Sequence, residues 1–198
     1  MNTPNKLTVF RILLVPIMLI VSLIHIPGEI FGISIGFIII DIIFIIGSIT
    51  DKLDGHLARK NNQITNFGKF LDPIADKILV ISAMLILVEA QKLPSWIPII
   101  VIVREFAVSG YRLIAVQEKG EVIAANKWGK IKTVTQMLAL ILAIIDINAF
   151  GTIFIEKLDT VPFIINLLST FLMIISVIAT IFSGYEYLKN AKDLLKDK

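Results

Sequence analysis

Cysteine is absent from this chain of 198 residues, which excludes disulfide bridges and thiolate metal sites. Charge is scarce: 18% of residues are charged against 56% hydrophobic, and the mean hydropathy of +0.85 is far from that of a soluble globular domain. No nucleic-acid partner is expected of such a composition. The alternation of apolar and polar residues that marks barrel strands is missing, and so is a small-residue cleavage site after the first apolar run, which is therefore expected to be a retained helix. There is no repeat relating the two halves and no low-complexity tract.

Long apolar runs are present instead, near residues 8–27, 31–57, 69–90, 95–117, 131–150 and 162–188. A bilayer crossing takes about 20 mostly apolar residues, and its backbone polar groups must bond within the segment. The expected fold is thus all-α, a single membrane-embedded domain over 1–198 with six transmembrane helices. If the N-terminus is cytoplasmic, fifteen basic residues gather on that side, among them Lys6, Arg59, Lys69, Lys127 and Lys189, against Lys92 and Lys157 outside. Both termini are then cytoplasmic. Lys77 and Arg104 are left within spans, where ionisable groups usually face a cavity or a partner. The closing "GYEYLKNAKDLLKDK" extends the last helix with a basic, amphipathic character that suits anionic headgroups or a solvated helix end.

Against this background four aspartates fall within 26 residues, at the cytoplasmic ends of the second and third spans. Asp51 and Asp54 are three apart, Asp72 and Asp76 four apart, so each pair shares a helical face. Two such helices, joined through "RKNNQITNFG", can bring four carboxylates around one point, an arrangement that is costly without positive charge. Hard divalent cations prefer oxygen ligands, and magnesium takes a few carboxylates together with water and substrate phosphate, so a site for one or two metals answers the pattern. The alternative is that Lys52, Arg59, Lys69 and Lys77 neutralise the four acids individually. Gly55 and Ala58 would let a ligand or a second helix approach closely, Arg59 offers a planar fork for phosphate, and Gly68 gives freedom on entry to the third span. Pro73 could open a helical turn or kink the span.

The spacing D-x2-D-G-x2-A-R-x8-G-x3-D-x3-D, formed by Asp51, Asp54, Gly55, Ala58, Arg59, Gly68, Asp72 and Asp76, resembles the signature of the CDP-alcohol phosphotransferases, without a departure. The flanking "PNKLTVFR" and "GKIKTVTQ" resemble the bacterial members that use glycerol 3-phosphate. The resemblance implies transfer of a phosphatidyl group from CDP-diacylglycerol to sn-glycerol 3-phosphate, with release of CMP, by a homodimer in the cell membrane whose site faces the cytoplasm. It further implies that Asp51, Asp54, Asp72 and Asp76 hold two divalent ions, magnesium or else manganese. Asp76 would also be the general base, and Gly55, Ala58, Arg59 and Gly68 would line the CDP site. The chemistry agrees: a metal-bridged diphosphate is electrophilic at phosphorus, and a nearby carboxylate can take the alcohol proton. His56 lies off the Asp51/Asp54 face by about 100° to 200° of helical rotation and is not expected to take part.

Polar stripes on two further spans suggest where the acceptor binds. Glu105, Ser109 and Arg112 are spaced i, i+4 and i+7 with Arg104 beside them, and Lys130, Thr133 and Gln136 form a similar stripe. Arg112, Lys130 and Lys132 are the candidates for the acceptor's phosphate; positive-inside topology is the other explanation for each. Thr8 and Arg11 could touch the nucleotide or anchor the first helix. Asp41 lies about 15 Å from Asp51 along the helix, too far to share its metal, and is expected to meet another buried polar group. Gly32 and Gly36 give one G-x3-G, a weak helix-packing signal, while Trp96 and Trp128 suit headgroup anchoring. The aspartate pattern leaves open the same chemistry with serine or an inositol phosphate as acceptor. A divalent-cation transporter is a remoter reading, because transporter ion sites tend to lie at the bilayer midplane between repeats.

Overall fold

Apolar sequence without strand alternation has to bond its own amides, and in the computed structural model it does so as helix. The structure describes residues 3–24, 26–60, 66–119 and 126–195, with the side chains of 5–24, 26–50, 71, 73–115 and 126–189. Six long helices run through the described residues: α1 (Thr3–Leu23), α2 (Ile35–Lys60), α3 (Asn66–Glu89), α4 (Trp96–Lys119), α5 (Lys127–Ile145) and α6 (Thr160–Leu195). A two-stranded hairpin, β1 (Glu29–Ile30) with β2 (Ile33–Ser34), links α1 to α2, and a single 3-10 turn (Thr152–Phe154) precedes α6. The all-α expectation holds. Among the described residues, three helical stretches are long and apolar enough to cross a membrane: Asn5–Leu23, Lys127–Ile145 and Thr160–Lys189. A fourth apolar stretch in α2, Ile35–Thr50, is shorter.

Several boundaries move for local reasons. The first span stops at Leu23 rather than 27, and the second starts at Ile35 rather than 31, directly after the hairpin at 29–34. Its turn needs left-handed backbone at Phe31 and Gly32, with φ of 54° and 77°, after Gly28 at 108°. Gly32 therefore sits in a turn, and the G-x3-G with Gly36 is not a helix-packing motif. The fifth span runs 127–145 rather than 131–150. Asn126 caps its start by accepting a 2.8 Å bond from the Gly129 amide, and Asp146 ends it in extended backbone. The α2–α3 linker is shorter than expected, since Arg59 and Lys60 close α2 while Asn66 to Gly68 already open α3. Pro73 lies inside α3 and removes one amide from its ladder.

Met18 of α1, Phe44 of α2, Leu79, Ala83, Met84 and Leu87 of α3, Leu140 of α5 and Met173 of α6 are fully buried together. In a lipid-facing bundle such interdigitation, rather than water exclusion, holds helices together. Helix α3 contributes most to this core, so its register, and with it that of Asp76, is fixed by packing on several neighbours.

The end of the bundle remote from the aspartates is closed by a polar knot. Asp146, 2% exposed, accepts from the Asn148 amide at 2.9 Å, from Asn166 Nδ2 at 2.8 Å and from Ser169 Oγ at 3.0 Å. Lys92 donates to the carbonyls of Ile144 at 3.1 Å and Asp146 at 2.5 Å, and its ammonium lies 4.0 Å from the Phe37 ring centroid. Burial pushes the Lys92 ammonium down from 10.5 to about 8, with the Asp146 charge pulling the other way. Between those values the unfolded chain binds more protons than the folded one, so this lysine's contribution to stability rises as pH rises through the window. In detergent, the thermal midpoint of wild type relative to Lys92→Met should climb from about pH 7.5 to about pH 9.5. A difference independent of pH would show that Lys92 is not desolvated as described.

Candidate active site

Asp76 lies on α3 one turn after Pro73, with its side chain half-buried and lining a cleft between α3, α4 and α5. Lys77, Glu105, Lys132, Thr133 and Gln136 line the cleft with it, over an apolar floor of Val80, Val101 and Met137. It encloses about 30 Å³, room for one or two waters or an ion. Larger hollows of about 280 and 470 Å³ lie at the opposite end of the bundle, the first lined by Ser34, Phe37 and Glu89 and the second by Phe31, Ile147 and Pro162. Size is a poor guide here, because the convergent charges are in the small cleft.

Lys132 is 7% exposed on α5. Its ammonium donates to Glu105 Oε1 of α4, and the same oxygen accepts from Arg104 Nη1 at 2.8 Å. Asp76 also attracts the Lys132 charge. One carboxylate oxygen thus bridges two cations from two helices, and Lys132 lines the same cleft as Asp76. A lone ammonium buried this deeply would be severely destabilising; paired, it is tolerated. Lys77, next to Asp76, bonds Ser109 of α4. Gln136 is 2% exposed and rests its amide on Met84 Sδ at 3.7 Å.

A second set of contacts ties α4 and α5 to α6. Arg104 Nη2 donates to Ser183 Oγ at 2.5 Å, and Ser183 in turn donates to Asn126 Oδ1 at 3.0 Å. A Cβ on Gly129 would come within 2.9 Å of Asn126 Oδ1 and 3.4 Å of Arg104 Nη2, so a side chain there would have to displace the polar groups of this cluster. Arg112 donates to the Tyr187 hydroxyl at 2.6 Å and lies over its ring, 5.2 Å from the centroid. The same hydroxyl receives the Asn126 amide at 3.3 Å.

Of the residues singled out from sequence, the structure brings Asp76 and Lys132 together in one cleft. Arg112 lies further along α4 against α6, and Lys130 is exposed, two residues from Lys132 and so on another face of α5. Asp51, Asp54, Gly55, Ala58, Arg59 and Gly68 lie on the described backbone of α2 and α3, as does Asp72; their side chains, and that of His56, lie outside the described set. The backbone keeps both acid pairs within continuous helix, at the spacings that place each on one face. A donor set of carboxylate oxygens fits a hard divalent cation. Among the described residues alone, no three His, Asp or Glu side chains are grouped to hold a metal.

Three features were underweighted in sequence. Asn5, Thr8 and Arg11, spaced three apart on α1, are 7%, 1% and 0% exposed, which makes them parts of the bundle interior rather than surface anchors. Glu105 and Arg104 had a stripe but no role. Asp41 is buried, yet its Oδ1 has no hydrogen-bond partner among the described residues, so the expected buried polar contact is not made by that atom.

Comparison with known proteins points the same way. Residues 1–183 match the profile of the family described as CDP-alcohol phosphatidyltransferase. The chain is 41% identical to the CDP-diacylglycerol–glycerol-3-phosphate 3-phosphatidyltransferase of Bacillus subtilis (strain 168), over 98% of its own length and 97% of that protein's. Proteins with the same description from Haemophilus influenzae and Rickettsia typhi are 37% and 36% identical, covering 99% and 96% of the chain and 96% and 97% of the relatives.

Proposed function

Because the chain belongs to the CDP-alcohol phosphatidyltransferase family, we propose that it transfers the phosphatidyl group of CDP-diacylglycerol to sn-glycerol 3-phosphate, releasing CMP and forming phosphatidylglycerophosphate. The reading is carried by near full-length similarity to proteins described by that reaction, joined to an unbroken D-x2-D-G-x2-A-R-x8-G-x3-D-x3-D motif. The cleft supports it, since Asp76 shares a pocket with a buried lysine suited to an anionic acceptor.

In this reaction the acceptor hydroxyl oxygen attacks the phosphorus that carries diacylglycerol, the bond from that phosphorus to the CMP oxygen breaks, and the hydroxyl proton passes to a carboxylate. Asp76 is assigned as that base. Asp51, Asp54, Asp72 and Asp76 would hold two divalent ions, which supply charge neutralisation for the diphosphate. Gly55, Ala58, Arg59 and Gly68 are assigned to the CDP moiety, with the three small residues allowing close approach and Arg59 pairing with phosphate oxygen. Lys132, with Arg112 and Lys130 towards the cytoplasmic rim, is assigned to the acceptor's phosphate. Preplaced cations of this kind favour a phosphorylated alcohol over serine, whose carboxylate is a weaker match for several donors.

The surrounding architecture is assigned as one multi-pass domain of six spans in the cell membrane, with both termini and the site cytoplasmic, operating as a homodimer. The basic-residue asymmetry supports the orientation. Helix α4 is the least apolar of the six because it carries Arg104, Glu105 and Arg112. Purified protein given CDP-diacylglycerol and magnesium should release CMP only when glycerol 3-phosphate is added. Equal release without acceptor would make the protein a hydrolase and overturn the assignment.

A further inference from the structure

Glu105 is a costly residue to place on a membrane-spanning helix unless it serves something nearby. Its Oε1 accepts from Arg104 Nη1 at 2.8 Å and from the Lys132 ammonium, with side-chain exposures of 12% for Arg104 and Glu105 and 9% for Lys132. Each cation has a second neighbour besides Glu105: Arg104 donates to Ser183 on α6, while Lys132 shares its cleft with Asp76. The geometry points to Glu105 as a positioning residue that fixes the Lys132 ammonium beside Asp76, and thereby sets where the phosphate of the acceptor docks relative to the base. This rests on the acceptor assignment given above and adds to it a residue that would not itself touch the substrate.

A free lysine has many rotamers, and ordering them on binding weakens affinity. Glu105 removes that cost beforehand, which is how a preorganised site gains affinity without new contacts. It also sets the charge. Two cations share one anion, so each buried charge keeps a partner in the substrate-free protein. Without the carboxylate, Arg104 and Lys132 would repel each other across the same small space, and Lys132 would lose the contact that holds it in the cleft lined by Asp76.

The test is a double-mutant cycle on the full-length protein in mixed micelles. Glu105→Gln, which keeps the shape, should raise KM for glycerol 3-phosphate by about 10-fold while KM for CDP-diacylglycerol stays within about 2-fold. Lys132→Ala should do at least as much, and adding Glu105→Gln to it should cost nothing more, because the residue that Glu105 positions is then gone. Glu105→Asp, charged but shorter, should restore part of the loss and covers the case in which the glutamine variant does not fold. Losses that multiply in the double variant, or equal rises in both KM values, would reduce Glu105 to a structural ion pair. If wild type itself fails to use glycerol 3-phosphate, the acceptor assignment fails; an acceptor-dependent wild type with an unaffected Glu105→Gln sinks only the positioning role.

Discussion

Asp76→Asn should lower CMP release by about 10²- to 10⁴-fold, the range expected when a positioned general base is lost. Asparagine keeps the volume and much of the polarity of the side chain, so the packing of α3 is preserved, but it cannot accept a proton and is a poor ligand for a hard cation. The site makes this substitution informative. Asp76 stands in the same cleft as Lys77, Glu105 and Lys132, on the helix that contributes most to the core, so a drop in turnover with an unchanged elution profile in detergent would locate the defect in chemistry rather than folding. A second buried acid provides the contrast. Asp41 lies deeper in α2, away from this cleft, and Asp41→Asn should leave turnover close to wild type. An Asp76→Asn enzyme retaining more than a tenth of wild-type turnover would remove this carboxylate from the proton-transfer step.

Chelation of divalent cations should abolish CMP release, and excess magnesium should bring it back. Four aspartates at i, i+3 and i, i+4 spacing on two consecutive helices give an all-oxygen donor set that lacks a softer ligand, since the chain has no cysteine and the described backbone has only His56 nearby. The substrate is itself a diphosphate, so the charge to be neutralised in passing to the transition state is large, and a contribution of several kcal/mol from metal ions is at stake. Lys132 of the cleft cannot replace them, as it is already shared with Glu105. Turnover that survives chelation, with metal absence confirmed by elemental analysis, would contradict the assigned role of the aspartate pairs.

The helices were legible because period and length are properties of sequence, and the acid pairs because their spacing is covalent. What escaped was set by a few residues acting through tertiary contacts. The hairpin at residues 29–34 hid inside an apolar run because Ile30, Phe31 and Ile33 suit a helix as well as a strand, and only the left-handed backbone at Phe31 and Gly32 decides the matter. Helix α5 begins at Lys127 because Asn126 caps it, which hydropathy does not register. In the site, Lys130 and Lys132 read as equivalent basic residues; the helical turn separates them, exposing the first and burying the second against Glu105. The role of Glu105 was not legible because α4 and α5 meet there only through side chains, with both helices packed on α6.

The most direct measurement offers purified protein CDP-diacylglycerol, magnesium and, in parallel, glycerol 3-phosphate, inositol phosphate or serine, reading CMP by chromatography and the lipid product by mass. The account predicts CMP matched mole for mole by phosphatidylglycerophosphate with glycerol 3-phosphate, and little release with the others. Faster release with serine or inositol phosphate, or CMP accompanied by phosphatidic acid instead, would contradict it.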